Sequence, residues 1–316
     1  MIKKTNKGDD FMPRCARIKA PSCTYHIMVR SISEVLLYDD DTDKIRYLKT
    51  LKKYQEMFRF KVYAYCIMDT HAHFIIYSNG ADISKVMHGV NQSYAQYYNR
   101  RHGRHGHLFQ DRFKSKVVED ESYLISLSGY IHNNPIDLEN YNGNIEGYPY
   151  STLGIYLGLA QDAFGLVDHK FVLLHFGKNI NLARNQYLGY IKQCISLDIL
   201  SDIEFENELN DYWSQKSLYL REQTAVDVAQ QMSEKIGFKK IMLSMKSNSK
   251  ATEYRSLYVL FLRAFCDLKY VDICRVIGNV TQSRVSKLCS IGVDLLQSND
   301  KYRSIMNDIF ENCKTA

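Results

Sequence analysis

All four prolines of this 316-residue chain, Pro13, Pro21, Pro135 and Pro149, lie in its first half. Proline lacks a backbone N–H and clashes with the preceding helical turn, so it is kept out of helix interiors. The long stretch after Pro149 has no proline and is rich in helix formers, which predicts a mixed α/β front followed by an all-helical back. With 45% hydrophobic residues, the length supports a sizeable core and about two domains.

The front alternates between two periodicities. Residues 23–30 (CTYHIMVR), 61–68 (KVYAYCIM) and 71–78 (HAHFIIYS) carry strand formers, and 114–118 reads as a short fourth strand. Residues 43–58 place Ile45, Leu48, Leu51 and Tyr54 about one helical turn apart after an acidic start. Residues 82–100 read as a second helix. A third runs over 122–132, with Asp120 as its cap and Asn133-Asn134-Pro135 as its stop. Asp69-Thr70 is a tight turn between the second and third strands. The order β-α-β-β-α-β predicts an α+β fold with a ferredoxin-like antiparallel sheet. In the back half, 167–193 and 217–236 read as helical, 245–252 (MKSNSKAT) as a polar linker and 253–293 as a final helical unit. The expected domains are 10–160, a helical extension at 161–245 and a terminal unit at 253–310.

Bulk properties narrow the function classes. No run approaches the ~20 apolar residues of a membrane span, and the start MIKKTNKGDD lacks the apolar core of a secretory signal; a soluble cytoplasmic protein is expected. The eight cysteines form no C-x-x-C pair, which predicts reduced thiols rather than a disulfide framework or zinc ribbon. A net charge of +6 is compatible with a polyanionic partner but too modest to identify one.

His71-Ala72-His73 is the first motif with chemistry. Residues i and i+2 of a strand point to one face, so both imidazoles would project together, as two adjacent positions on one metal ion require. The bland alternative is a polar strand edge. A second such pair, His105-Gly106-His107, sits among Arg101, Gly103 and Arg104 and reads as a flexible basic loop. In the helix SYLISLSGYIHNNP, Tyr130 and Asn134 are four apart and share a face, with Tyr123 seven before Tyr130 on nearly the same face. Taken alone, Tyr130 would be a core tyrosine.

In order and spacing, H-A-H on a strand, then R-H-G-H-L-F-Q-D-R-F-K-S, then Y-I-H-N-N-P resemble the REP-associated tyrosine transposases, which are HUH (His-hydrophobic-His) single-tyrosine transposases. The resemblance covers roughly residues 10–190. It implies that His71 and His73 are metal ligands, Tyr130 the nucleophile and Asn134 the polar residue completing the metal site. It also implies a divalent cofactor, Mg²⁺ with Mn²⁺ also active, and a substrate of single-stranded DNA folded into REP-like palindromic hairpins. Met68-Asp69-Thr70 departs from the Met-Pro-Asn of many members and is expected to put a negative charge near the metal.

A phenol with a pKa near ~10 is a poor nucleophile at neutral pH, which is why such a site needs a metal to polarise the phosphate. The attack would leave a 5′-phosphotyrosine link whose conserved bond energy allows resealing. Tyr123 is the rival nucleophile. A non-catalytic hairpin-binding regulator and a phosphoesterase using water are the rival functions. For DNA contacts, Arg100, Arg101, Arg104, Arg112, Lys114 and Lys116 cluster with Phe109 and Phe113, a mixture suited to backbone pairing and base stacking. Near the C-terminus, Val271–Ile277 and a helix capped by Thr281 resemble the helix-turn-helix of DnaA-type domains. There Gln282, Ser283, Arg284 and Lys287 would face DNA, with Val285 and Leu288 inward. Monomer and homodimer both remain open.

Overall fold

The computed structural model describes residues 22–33, 35–197, 223–243, 245, 248–278 and 280–315. Strand β1 (Thr24–Arg30), helix α1 (Asp41–Phe58), strands β2 (Lys61–Ile67) and β3 (His71–Tyr77), helix α2 (Ile83–Arg101) and strand β4 (Lys114–Val118) come in the predicted order. They form one antiparallel sheet, ordered β2-β3-β1-β4, so β3 and β1 are central. The fold is the α+β, ferredoxin-like arrangement expected from the alternation.

Local chemistry accounts for these elements. Asp40 caps α1 by accepting from Asp43 N, and Asp41 and Asp43 in its first turn suit the positive end of the helix. The β2–β3 hairpin closes through Met68 N donating to His71 O at 2.8 Å, with Asp69 and Thr70 at the tip. Strand β3 is buried along its middle on both faces. On one face Phe74 stacks on Tyr47 of α1 with ring centroids 5.8 Å apart. The opposite face is covered by helix α3 (Glu121–Asn133), capped by Asp120 accepting from Tyr123 N.

The rear of α3 is fixed by residues further along the chain. Short α4 (Leu153–Leu157) and α5 (His169–Leu173) lead to α6 (Ile180–Leu197). His132 is fully buried, with Nδ1 2.7 Å from Tyr187 Oη of α6 and Nε2 2.7 Å from Thr152 Oγ1. Thr152 Oγ1 in turn lies 3.2 Å from the Tyr65 carbonyl of β2, and Tyr187 Oη 3.0 Å from Ser128 Oγ of α3. The continuous helix expected over 167–193 is instead interrupted. Gly177 has φ +135°, closed to other residues, and Asn179 starts α6 afresh by accepting from the N–H groups of Asn181 and Leu182.

In the back half, α7 (Ala225–Ile236) begins with a capping box between Thr224 and Asp227. Residues 10–21 and 217–222 of the expected elements lie outside the described residues. Half of the polar stretch read as a linker is the start of α8 (Ser249–Phe265). Asn248 accepts from Ala251 N at 2.9 Å, and the polar residues sit on an exposed first turn. Helices α9 (Tyr270–Ile277), α10 (Gln282–Ser298) and α11 (Asp300–Thr315) complete the bundle, α11 running beyond the predicted unit. A side chain at Gly292 of α10 would meet the Ser256 carbonyl of α8 at 2.6 Å, so these helices cross closely. The bundle docks on the α1/α2 side of the sheet. Lys53 donates to Ser290 Oγ at 2.8 Å, Arg263 lies over the Phe58 ring, and Lys85 pairs with Asp267. Cys23, Cys66, Cys194, Cys266, Cys274 and Cys289 are free thiols. Among the described residues, no helix is long and apolar enough to cross a membrane.

Candidate active site

His71 and His73 stand on the α3-facing side of β3. Backbone pairing with β1 on one flank and β2 on the other fixes their direction. Their rings are 5.2 Å apart between centroids and nearly perpendicular. Above them, α3 brings Tyr130 against His73, with centroids at 5.3 Å in an edge-on arrangement. One turn later, Asn134 Nδ2 donates to the Tyr130 carbonyl at 2.8 Å. That bond turns the amide oxygen toward the sheet, where Oδ1 lies 3.4 Å from His71 Nε2. The four residues singled out in two separate sequence segments therefore meet at one place. Tyr123, the rival nucleophile, is half-buried nearer the edge strand, with Lys116 Nζ 5.2 Å over its ring.

His26 was not singled out in the sequence, yet it belongs to this cluster. It lies on β1, fully buried, with Nε2 3.0 Å from His73 Nδ1, its ring stacked on His73 and 6.2 Å from that of Tyr130. Burial, with the nearby Lys116 cation adding to it, pushes the His26 imidazole down to about 3. Burial first, then His26 and His71, hold His73 well below its usual range. In both rings burial favours the neutral form, the form in which an imidazole nitrogen can bind a metal.

The donor set fits a divalent ion. Thr70 Oγ1 lies 3.1 Å from His71 Nδ1 and His26 occupies His73 Nδ1, so each histidine is held through Nδ1 and offers Nε2. Ligand atoms at right angles around one ion, each ~2.1 Å from it, are about 3 Å apart, close to the separation of His71 Nε2 and Asn134 Oδ1. Among the described residues, no three His, Cys, Asp or Glu side chains converge on one point. An ion here would draw on two imidazoles and an amide oxygen, leaving positions open for substrate oxygen and water. The Asp69 carboxylate, expected to bring negative charge to the metal, is paired with Lys44 of α1 at 2.7 Å.

The basic segment divides into structural and exposed cations. Arg100 and Arg101 form the last turn of α2, so Arg101, read as part of the basic loop, belongs to the helix. Arg101 is held by Asp40 and by the fully buried carboxylate of Asp43, so it pins α2 to α1. Arg104 is half-buried beside Tyr98. Arg100, Arg112 and Lys114 are exposed, and Lys116, with Lys114 on β4, lies directly opposite His26. The aromatic part of the prediction does not hold: Phe113 is buried and Phe109 packs half-buried against Tyr94. Phe109 is drawn inward because Leu108 and Gln110 on either side of it are laced to Ile32 and Arg30 by backbone hydrogen bonds. In the terminal bundle, Thr281 caps α10 by accepting from Arg284 N. Gln282, Ser283, Arg284 and Lys287 are exposed, with Val285 and Leu288 buried.

Residues 19–134, which carry the sheet, the paired histidines and the tyrosine helix, match the family described as transposase IS200 like. The match ends at Asn134 and so takes in the histidine pair and the whole tyrosine turn. A solved structure of a REP-associated tyrosine transposase bound to a REP hairpin aligns with 48% of this chain and 89% of its own, at 17% identity and a TM-score of 0.40. No curated relative matches the chain.

Proposed function

We propose that this protein is a metal-dependent DNA strand transferase that cuts and rejoins single strands through Tyr130. One observation carries the reading: the Asn134 amide is anchored to the Tyr130 carbonyl while its oxygen faces His71, so the candidate nucleophile and ligands are organised as one unit. Tyr130 Oη attacks the phosphorus, the bond to the 3′ oxygen breaks, and a 5′-phosphotyrosine link remains. The proton lost by Tyr130 balances the one taken up by the departing 3′ oxygen. A 3′-hydroxyl then reverses the step without an external energy source. When bound at His71, His73 and Asn134, a Mg²⁺ or Mn²⁺ ion would polarise the scissile phosphate and offset the developing charge. Arg100, Arg112, Lys114 and Lys116 attract the strand's phosphates.

The substrate proposed is single-stranded DNA with short hairpins, as the motif resemblance implies. Gln282, Ser283, Arg284 and Lys287 at the start of α10 make a second DNA contact, in keeping with a helix-turn-helix. The deciding experiment incubates the protein with labelled hairpin DNA and Mg²⁺ or Mn²⁺. An SDS-resistant protein–DNA adduct that disappears in Tyr130→Phe is expected. Tight binding without cleavage would favour a regulator, and cleavage without an adduct a water-using phosphoesterase.

A further inference from the structure

His26 and His73 are diagonal neighbours across the β1–β3 ladder. The register sets Met28 opposite His73 and Ile75 opposite His26, and the two imidazoles reach across the offset to meet at 3.0 Å. A contact between two ring nitrogens at this distance needs one donor and one acceptor. If His26 donated, the proton of His73 would sit on Nε2, the nitrogen left for a ligand bond. If His73 donates, its proton sits on Nδ1 and Nε2 carries the lone pair. The choice of tautomer therefore decides whether β3 offers one ligand or two.

We infer that His26 is a positioning residue, which accepts the Nδ1 proton of His73 on its own Nε2 and so presents His73 Nε2 for metal binding. The inference rests on the proposed metal site and adds to it a residue outside the H-x-H pair. The geometry supports it at three points. His26 is on a central strand with no exposed surface, its ring is stacked on His73 at an interplanar angle of 29°, and its contact is to Nδ1, on the side of the ring away from Nε2. His71 is held the same way by the Thr70 hydroxyl, so both members of the pair have their Nδ1 occupied by a different neighbour. The supporting partner of a metal-bound histidine commonly acts in this manner, fixing ring orientation and tautomer together.

The test uses the full chain as wild type, His26→Phe, His26→Gln and His73→Ala. Mn²⁺ binding is read from the electron paramagnetic resonance of the free ion, and the tautomer of His73 from ¹⁵N-resolved NMR of the metal-free protein. The expected result is a His73 proton on Nδ1 in the wild type and a loss of Mn²⁺ affinity of about 10–100-fold in His26→Phe. His26→Gln, whose amide oxygen accepts the same bond, is expected to recover most of that loss. A His26→Phe chain that melts like the wild type and binds Mn²⁺ equally well would overturn the inference while leaving the metal site intact. Should His26→Phe fail to fold, the wild-type tautomer decides: a proton on Nε2 of His73 overturns the inference. If the folded wild type binds Mn²⁺ no better than His73→Ala, the metal site itself fails and the inference falls with it.

Discussion

The chain carries two H-x-H pairs with the same spacing and different fates. His71 and His73 are on a central strand whose backbone is hydrogen-bonded on both flanks, so alternation sends both imidazoles to one face. His105 and His107 flank Gly106, which has φ +91°, in a loop where Gly103 also has φ +61°, and both histidines are exposed. Positive φ breaks the alternation that aligns side chains in a strand. A motif is therefore a statement about backbone as much as about side chains: the same two imidazoles converge in one setting and point independently in the other.

The largest effect expected is on the residue that only the first pair faces. Tyr130→Phe should abolish the covalent adduct and lower strand cleavage on the order of 10⁴-fold or more, as loss of a nucleophile does elsewhere; full activity in a gel assay would end the assignment. Next, replacing both His71 and His73 by Ala should cost about 10²–10³-fold in cleavage, in line with losing charge stabilisation of the transition state. The same change at His105 and His107 should leave the rate essentially unaltered. Equal losses from the two double variants would erase the contrast between strand and loop.

A third setting for histidine sharpens it further. Burial pushes His132 down to about 3, against about 6.5 in an unfolded chain. Between those values the unfolded chain takes up a proton that the folded one refuses. The contribution of this group is therefore complete above about pH 6.5 and is lost as pH falls toward 3, at up to about 1.4 kcal/mol per pH unit. Urea denaturation at a series of pH values should show a shallower slope for His132→Gln, and an unchanged slope would count against it. The smallest effect separates the arginines. Arg112→Ala should reduce the salt dependence of DNA binding by about one phosphate contact without changing the melting temperature. Arg101→Ala, which strips the guanidinium from buried Asp43 and leaves it to the His102 ring and the Asp39 N–H, should lower the melting temperature.

Much of the candidate site's frame was legible because its signals are local. Period-two alternation marks the strands, and the four-residue spacing of Tyr130 and Asn134 survives in any helix. His26 was not legible, since CTYHIMVR reads simply as a strand and the residue gains its partner only through a β1–β3 register that joins positions 47 apart. The same holds for Arg101, whose acidic partners lie at the far end of α1. Phe109 and Phe113 misled for a related reason: composition says that aromatic rings are present, while only packing says whether a base can reach them.

The clamp around His132 has one more consequence, for where this protein begins and ends as a folding unit. The segment that matches the IS200-like family stops at Asn134, yet both ring nitrogens of His132 are met by Tyr187 and Thr152, which lie beyond it. Cutting the chain at that boundary would bare the rear of α3, removing both partners of the buried His132 imidazole and the Ile191 carbonyl to which Asn133 donates. What matches the family and what packs together are thus different stretches of the same chain, and the later residues serve as the mould in which the tyrosine helix keeps its shape.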